Sequence, residues 1–185
     1  NSEYYTLVRY NINGTLDSTF GTNGISLTSG GSYLYSVAIQ SDGKIVAVGW
    51  TTTSGAFGGY NDNFILFRYN TNGILDSTFG TNGKVITDVG SNDDEVSSLS
   101  IQSDDKIVVI GYSGTYSNAN FAVVRYNING TLDNTFGTGG KVITPVGSDD
   151  DYANSVVIQT DGKIIVVGSA GDYYHYDIAV VRYNT

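Results

Sequence analysis

Short apolar stretches alternate with turn-forming residues along the chain. Between residues 96 and 146, Val, Ile, Phe and Tyr cluster into four segments, at 96–102, 106–111, 121–127 and 141–146. Gly, Asn, Asp and Ser bound these segments, a pattern typical of strands joined by tight turns. The second and third segments are apolar almost throughout and predict strands buried on both faces, whereas the first and fourth alternate and predict strands nearer a surface. No segment has helical periodicity, so the sequence predicts an all-β fold.

The four segments, here called strands a, b, c and d, recur along the chain. The tripeptide Arg-Tyr-Asn of strand c returns at separations of 59, 57 and 57 residues. A Leu-Asp-x-Thr-Phe-Gly phrase follows its first three copies, and an Asp-Gly or Asp-Asp pair joins strands a and b. Asp-Gly supplies the positive backbone angles of a tight hairpin. We therefore divide a single domain, residues 1–185, into repeats at approximately 11–69, 70–126 and 127–183.

A unit of four antiparallel strands must pack against copies of itself to bury both of its faces. Radial packing of such units gives a β-propeller, and a β-sandwich is the alternative. The strand segments add up to about three blades plus one strand. Because propellers contain about four blades or more, we expect either that these residues belong to a longer chain or that subunits associate to complete the ring.

The recurring Gln, Asp-Gly-Lys, Arg-Tyr-Asn and Leu-Asp-x-Thr-Phe-Gly phrases resemble the delta-60 repeat, a bacterial β-propeller repeat of uncharacterised function. The resemblance covers essentially the whole chain in three periods. Asp105 departs from it, because the other two periods have Gly43 and Gly162 at this position. The resemblance implies propeller blades and a large surface or secreted protein, and it supplies no catalytic residues. We therefore expect an extracellular or cell-surface location.

Composition excludes several functional classes. The net charge of -9 argues against nucleic acid as a partner, because binding phosphates requires clustered Lys and Arg. No apolar run reaches the roughly 20 residues of a membrane helix, so we expect no membrane insertion. Cysteine is absent, and His175 is the single histidine available to a catalytic triad. Pairs of carboxylates can come from almost any two loops, so their presence does not indicate glycoside hydrolysis. We therefore expect no enzymatic activity.

Loops on one side of the predicted blades vary between the repeats. Strand direction alternates within a blade, so the b–c and d–a loops share one rim, here called the variable rim. The a–b and c–d turns share the opposite rim, here called the constant rim. All nine Lys and Arg residues lie at repeated positions, whereas 11 of the 18 acidic residues lie in variable or flanking sequence. The loops of the variable rim are residues 31–36, 49–63, 90–95, 111–120, 147–152 and 168–177.

Aromatic residues on the variable rim are candidates for ligand binding. Binding residues often lie on loops that a rigid scaffold presents. Aromatic rings can cover the apolar faces of sugars while Asn, Asp and Tyr oxygens bond hydroxyl groups, and the same mixture makes adaptable protein-binding surfaces. The alternative is that these rings pack between blades. The candidates are Trp50, Tyr60, Tyr112, Tyr116, Tyr173, Tyr174 and Tyr176.

Two acidic runs are candidate calcium ligands, and no other cofactor is indicated. Calcium takes six to eight oxygen ligands, and consecutive carboxylates in Gly-Ser loops can supply some of them. Neither run has the alternating spacing of a calcium loop, and a solvated acidic loop is the alternative. The c–d turn also carries alternating oxygen side chains, although Asn-Gly at this place is turn chemistry. The two runs are Asp93, Asp94 and Glu95, and Asp149, Asp150 and Asp151.

An Arg and an Asp recur eight residues apart in strand c and the turn that follows it. A buried guanidinium requires a carboxylate or carbonyl partner, so we predict ion pairs that brace the c–d turn. The alternative is a ring of arginines that binds a ligand in the central channel. The predicted pairs are Arg9 with Asp17, Arg68 with Asp76, and Arg125 with Asp133.

These observations favour a non-catalytic structural or binding segment of a secreted or cell-surface β-propeller, which either self-associates or forms part of a longer chain. Its expected partners are further blades, and glycans or a cell-surface protein. The alternative function is a carbohydrate-binding lectin that uses the aromatic loops of one propeller face, and a carbohydrate-cleaving enzyme ranks third.

Overall fold

The computed structural model describes residues 4–30, 32–54, 60–90, 93–115, 117–172 and 175–184. These residues contain thirteen β-strands and no helix, which confirms the all-β prediction. No helix able to span a membrane occurs in the ranges just given. In chain order the strands are β1 (Tyr4–Val8), β2 (Ile25–Ser29), β3 (Ser32–Ile39), β4 (Ile45–Ser54), β5 (Tyr60–Tyr69), β6 (Lys84–Thr87), β7 (Asp93–Ile101), β8 (Ile107–Thr115), β9 (Asn118–Tyr126), β10 (Lys141–Thr144), β11 (Asp150–Ile158), β12 (Ile164–Asp172) and β13 (His175–Tyr183).

The strands form four antiparallel sheets in sequence order. Strands β3–β6 make the first blade, β7–β10 the second, and β11–β13 a three-stranded third blade. Strands β1 and β2 pair as an N-terminal hairpin that corresponds to strands c and d of a blade. The thirteen strands match the predicted total of three four-stranded blades plus one strand, and they divide into sheets of two, four, four and three strands.

Strands b and c of the first two blades are buried along most of their length, as their apolar sequences predict, whereas β13, the strand c of the third blade, is mostly exposed. Val46 and Val48 of β4 and Leu66 of β5 are fully enclosed and pack against Val96 and Leu99 of β7 in the next blade. A second cluster between the second and third blades repeats this arrangement. The main core of the molecule therefore lies between blades and not within them.

The hairpins that reach the variable rim are longer than the sequence predicts. Strand β7 begins at Asp93 instead of residue 96, and β8 continues to Thr115 instead of ending at residue 111. Antiparallel pairing of β8 with β9 continues to the pair formed by Thr115 and Asn118. This pairing satisfies the backbone groups of polar residues that resemble a loop in sequence. Strand β10 instead ends at Thr144, before Pro145, which has no N–H for the sheet.

Each strand a contains a bulge opposite a glycine of strand b. The register shifts between Val96 and Ser98 in the second blade, and Gly111 pairs with Val96. A Cβ atom on Gly111 would lie 1.8 Å from the carbonyl oxygen of Glu95. Gly49 and Gly168 meet the equivalent carbonyl groups in the other blades. The glycine that follows each apolar b strand is therefore required by close backbone approach.

Candidate functional site

On the constant rim, Arg68 of β5 is enclosed by a carboxylate and an aromatic ring. Its Nε donates to Oδ2 of Asp76 at 2.9 Å, and its guanidinium carbon lies 4.7 Å from the centre of the Phe79 ring. The backbone N–H and hydroxyl of Thr78 donate to Oδ1 of Asp76 at 3.1 and 2.6 Å. Lys44 Nζ lies 3.1 Å from Oδ2 of Asp76. The groups that donate to this carboxylate, on Lys44, Arg68 and Thr78, thus belong to the same blade.

These contacts control the ionisation of Asp76. Burial alone raises the pKa of the carboxyl group, but hydrogen bonds from Thr78 and Lys44 and the charge of Arg68 outweigh it. The pKa of Asp76 is consequently held well below its ordinary value. The carboxylate stays ionised at neutral pH and serves as the partner of Arg68, so it is unsuited to act as a general acid.

The same arrangement recurs in the second blade and in the N-terminal hairpin. Arg125 Nε lies 2.8 Å from Oδ2 of Asp133, and the matching contacts lower the pKa of Asp133 to about 2. Arg9 Nε lies 2.8 Å from Oδ2 of Asp17, but this pair is more exposed than the other two. All three predicted ion pairs are thus formed. Arg182, in the corresponding position of β13, is exposed.

The arginines also connect neighbouring blades. Arg68 Nη1 donates to the backbone oxygen of Ile128 in the second blade, and Arg9 Nη1 donates to that of Thr71 in the first. Backbone bonds run beside them, such as the 3.0 Å bond from Gly80 N to the oxygen of Asn129. The guanidinium groups are therefore engaged in the blade junctions, which leaves little basis for the alternative of a ligand-binding arginine ring.

A glutamine at the end of strand a makes a second junction contact. Gln40 Nε2 donates to the backbone oxygen of Asp105 at 3.1 Å, and Gln102 Nε2 donates to that of Gly162 at 3.3 Å. Each acceptor belongs to the a–b turn of the following blade. The constant rim is thus a series of repeated structural contacts.

The acidic runs lie mainly in strands, which corrects their predicted placement in loops. Asp93, Asp94 and Glu95 belong to β7, and Asp150 and Asp151 belong to β11. The sequence places strand a of the second blade at 96–102, whereas pairing with strand b extends it to include this acidic run. Asp149 precedes β11 and is exposed.

Two of these carboxylates hold the loop that connects consecutive blades. Oδ2 of Asp94, which is fully buried, accepts the backbone N–H of Val89 at 2.7 Å, and Asp151 does the same for Val146 at 2.7 Å. Burial raises the pKa of Asp94, and hydrogen bonds from Ser113, Val89 and the loop glycine offset this effect only in part. Both side chains therefore act as acceptors for backbone groups.

Two further carboxylates cross the junctions. Oδ1 of Asp93 accepts the N–H of Asp62 at 3.2 Å, and Oδ1 of Asp150 accepts that of Ala119 at 3.1 Å. In the part of the chain that the structure describes, no three His, Cys, Asp or Glu side chains converge as metal ligands. Calcium binding by these runs stays a prediction from the sequence.

Aromatic side chains form two groups on the variable rim. The ring of Trp50 lies 5.0 Å from that of Tyr33, which is its cross-strand partner, and Tyr33 lies 6.3 Å from Tyr35. Tyr33 and Tyr35 are more than half exposed, whereas Trp50 is partly buried. The indole Nε1 of Trp50 is enclosed without a hydrogen-bond acceptor among the described residues.

The second group spans the junction between the second and third blades. The rings of Tyr112 and Tyr152 are nearly perpendicular with their centres 5.0 Å apart, and the ring centres of Tyr152 and Tyr176 lie 6.3 Å apart. Burial, followed by the charge of Asp150, raises the pKa of Tyr152. Tyr60 is largely exposed and belongs to neither set of ring contacts. Both interpretations of the aromatic residues therefore have support, because Tyr112 packs between blades while Tyr33 and Tyr35 face solvent.

Sequence reasoning missed three rim tyrosines as candidates, Tyr33, Tyr35 and Tyr152. All three lie on strand a: Tyr33 and Tyr35 belong to β3, and Tyr152 belongs to β11. The signal available was the antiparallel register, which places Tyr33 directly opposite Trp50. The candidates Tyr116, Tyr173 and Tyr174 lie outside the described residues.

His175 is the first residue of β13 and is exposed. Its backbone N–H donates to Oδ1 of Asp172 at 2.9 Å, and its Nδ1 lies 3.3 Å from the same oxygen. Both side chains are open to solvent. The two residues are thus an exposed pair where β12 and β13 face each other.

Repeated antiparallel blades joined by the same cross-blade contacts define a β-propeller repeat protein. The chain matches a family described as a domain of unknown function (DUF5122) beta-propeller at residues 40–79, 102–136 and 159–185, which together make more than half of its length. The chain belongs to this β-propeller family. No curated protein matches the chain.

The family matches coincide with the structural unit of the junctions. The first two stretches begin at the junction glutamines, Gln40 and Gln102, and end at the rings that stack on the arginines, Phe79 and Phe136. They exclude most of the acidic d–a connections of the variable rim. The first two matched stretches thus cover strands b and c, the loop between them on the variable rim, and the c–d turn up to the aromatic residue that stacks on the arginine.

Proposed function

We propose that this chain is a non-catalytic scaffold and binding module of a secreted or cell-surface protein, and that its repeats are of the delta-60 type. One observation carries the proposal. The framework charges hold the blades together, whereas Tyr33, Tyr35 and Tyr60 project from the variable rim into solvent. A scaffold that engages its charged groups in structure and exposes several aromatic rings on its variable rim is suited to binding a partner.

The location outside the cell is supported by the phrase-level resemblance to delta-60 repeats and by the acidic composition. The net charge of -9 favours solubility and disfavours contact with acidic polymers. Further blades of the same type belong to the scaffold that we propose.

Carbohydrate binding is the second candidate function, and the Trp50 group favours it. Tyr33 and Tyr35 present aromatic surface beside a partly buried indole, which suits the apolar face of a sugar ring. Asn61, Asn63 and Asp62 of β5 pair with the end of β4 and supply polar atoms nearby. The second blade has Glu95 where the first has Tyr33, and the third has Ser169 where the first has Trp50, so the pair of Tyr33 and Trp50 is specific to the first blade.

Glycan-array binding tests this candidate directly. We expect that wild-type protein binds a restricted group of glycans and that Trp50→Ala and Tyr33→Ala abolish the signal. Tyr10→Ala is the matched control, because Tyr10 is an exposed tyrosine on the constant rim. An array without signal would reject the lectin function and leave a protein partner, which pull-down on the same variants would identify. A signal lost equally in Tyr10→Ala would show that the rim is not the site.

A further inference from the structure

The two rims differ in how the charge of their carboxylates is compensated. Every ion pair that a Lys or Arg forms in the described part of the chain lies on the constant rim. The loops of the variable rim contain nine acidic residues and no Lys or Arg. Lys141 donates to the backbone oxygen of Asp88, at the start of one d–a connection, and not to a carboxylate. The carboxylates of the variable rim therefore keep a negative charge that their own chain does not pair with Lys or Arg.

Neutral groups hold these carboxylates in place. Oδ1 of Asp62 accepts the hydroxyl of Thr52 at 2.7 Å, and Oδ1 of Asp93 accepts the backbone N–H of Asp62 at 3.2 Å. Hydroxyl and N–H donors fix the position of a carboxylate but leave its net charge unchanged. The rim is thus a rigid surface of one sign of charge.

At the junction of the first and second blades, aromatic rings share a face with a carboxylate. Tyr60, Asp62 and Phe64 of β5 are two residues apart, so their side chains lie on the same face of the strand. Trp50 of β4 is the cross-strand partner of Phe64. The Asp62 position therefore lies between the positions of Trp50 and Tyr60 on that face, and Asp93 of the next blade meets its backbone. Tyr60 is 77% exposed, so aromatic surface is accessible beside the carboxylates.

The junction of the second and third blades has the same combination with different residues. Glu95 is the cross-strand partner of Tyr112, and the Tyr112 ring packs on that of Tyr152. Asp150 precedes Tyr152 by two residues on β11. Burial and the charges of Asp150 and Glu95 raise the pKa of Tyr152, which agrees with two carboxylates close to this ring. Aromatic rings and carboxylates therefore occur together at two consecutive junctions.

This combination suits a cationic ligand. The faces of Trp and Tyr rings attract the ammonium group of Lys and the guanidinium group of Arg. Carboxylates form charge-assisted hydrogen bonds with the same two groups. A surface field of one sign also accelerates the approach of an oppositely charged partner. A neutral ligand would use the rings and leave the repulsion between the carboxylates unrelieved.

We propose that the variable rim docks a Lys- and Arg-rich segment of a partner protein, which contacts the aromatic rings and carboxylates of the two junctions. This inference rests on the proposed binding function and specifies the chemistry of the partner. Charge complementarity selects this partner, because the rim presents acidic groups and its loops contain no Lys or Arg. Two junctions in succession can receive several cationic side chains of one segment, so weak individual contacts add up to useful affinity.

Fluorescence anisotropy of a labelled octalysine peptide tests the charge contribution. We expect wild type to bind the peptide with an affinity that falls as salt is added. The double variant Asp62→Asn with Glu95→Gln removes one charge at each junction and should weaken binding by about fivefold, because each exposed ion pair contributes modestly. Asp104→Asn with Asp161→Asn changes the net charge equally at two exposed constant-rim turns and is the matched control, with wild-type affinity. Circular dichroism checks that each variant keeps its β-structure.

A tyrosine variant tests the contribution of the rings. Tyr60→Leu keeps an apolar side chain and every charge but removes the ring face, so it should weaken octalysine binding by about threefold. Tyr10→Leu, at an exposed tyrosine of the constant rim, is its control and should keep the wild-type affinity. An unchanged affinity in Tyr60→Leu would overturn the part that the proposal assigns to this ring.

Three outcomes would overturn the basic partner as a whole: no binding of octalysine by wild type at low salt, unchanged affinity in Asp62→Asn with Glu95→Gln, or an equal loss in the constant-rim double variant. The last outcome would show that net charge alone attracts the peptide. The glycan array separates this failure from failure of the proposed function. A rim-dependent glycan signal without octalysine binding would reject the basic partner and leave the rim as a binding site, whereas the absence of both signals would reject the binding function as well.

Discussion

Asp105 accepts the backbone N–H of Ser41 at 2.8 Å, across the junction between the first and second blades. Its other carboxylate oxygen accepts the Ser41 hydroxyl. Asp105 has a φ of 62° in a position where the other a–b turns have Gly43 and Gly162. Asp is among the few residues that adopt this left-handed conformation readily. The departure from the repeat thus provides a contact between two particular blades.

Two substitutions of Asp105 separate the effect of losing the contact from the effect of the left-handed backbone on stability. We expect Asp105→Ala to be less stable than Asp105→Gly by about 1–2 kcal/mol, because alanine loses the contact and also bears the cost of a left-handed backbone. Glycine loses only the contact. Urea unfolding of the two variants gives the difference in free energy. Equal stability would show that the turn relaxes away from its positive φ.

Asp76 and Asp17 have the same partners in sequence but differ in burial. We expect Asp76→Ala to lower the free energy of unfolding by about 3 kcal/mol, because it leaves the Arg68 guanidinium buried without its carboxylate. Asp17→Ala is the matched control and should cost clearly less, because solvent reaches Arg9. Chemical denaturation of both variants makes the comparison. If both lose the same amount, burial of the pair is not what makes it stabilising.

The lowered pKa of Asp133 on the constant rim predicts that the protein loses stability in acid. The folded-state pKa of Asp133 is lowered to about 2 from an ordinary value of 3.8, so its contribution is fully present above pH 3.8 and is lost as pH falls through 2. Asp94 acts in the opposite direction, because its raised pKa favours the protonated form in the folded state. Thermal unfolding between pH 2 and pH 7 should therefore show a melting temperature that falls steeply below pH 3.8.

The variant Asp133→Asn isolates one part of this pH dependence. It should melt at lower temperature than wild type at pH 7 and show a smaller further loss on acidification, because the titrating group is gone. Asp161→Asn, at an exposed a–b turn, is the control and should follow the wild-type profile closely. An unchanged acid slope in Asp133→Asn would assign the acid sensitivity to other carboxylates.

The parts of the fold that repeat in sequence were predictable, and the contacts between blades were not. Arg68 and Asp76 recur at a fixed spacing of eight residues, so their pairing follows from local chain geometry. Ser41 and Asp105 are 64 residues apart, and a single sequence does not indicate which residues meet across a junction. The extension of β8 to Thr115 was not predicted for another reason. Its last residues are polar and have the composition of a loop, and they form a strand only because they pair with β9.

For the variable rim, the sequence predicts that aromatic residues are present, but it does not predict which of them lie close together. Trp50 and Tyr112 were identified because they are aromatic residues in the segments predicted as loops of the variable rim. Tyr33 and Tyr152 were missed because the sequence places residues 31–36 and 147–152 in loops, whereas in the structure both tyrosines belong to strand a and pair with strand b.

The bulge predicts that Gly111 is less replaceable than a glycine in an open turn. A Cβ at Gly111 would lie 1.8 Å from the Glu95 carbonyl oxygen and 3.0 Å from the Val96 Cα, both of which are backbone atoms of a paired strand.

Gly139 is the control, because its φ is 61° but no atom lies within 4 Å of its Cβ position. Gly139→Ala should cost about 1 kcal/mol, the usual penalty for a left-handed alanine. Gly111→Ala should cost several times as much, because strand a must separate from strand b to admit the methyl group and the interior packing of β7 against the first blade moves with it. Equilibrium unfolding in urea measures both losses, and near-equal values would mean that the bulge adjusts freely and that the glycine is not needed for close approach.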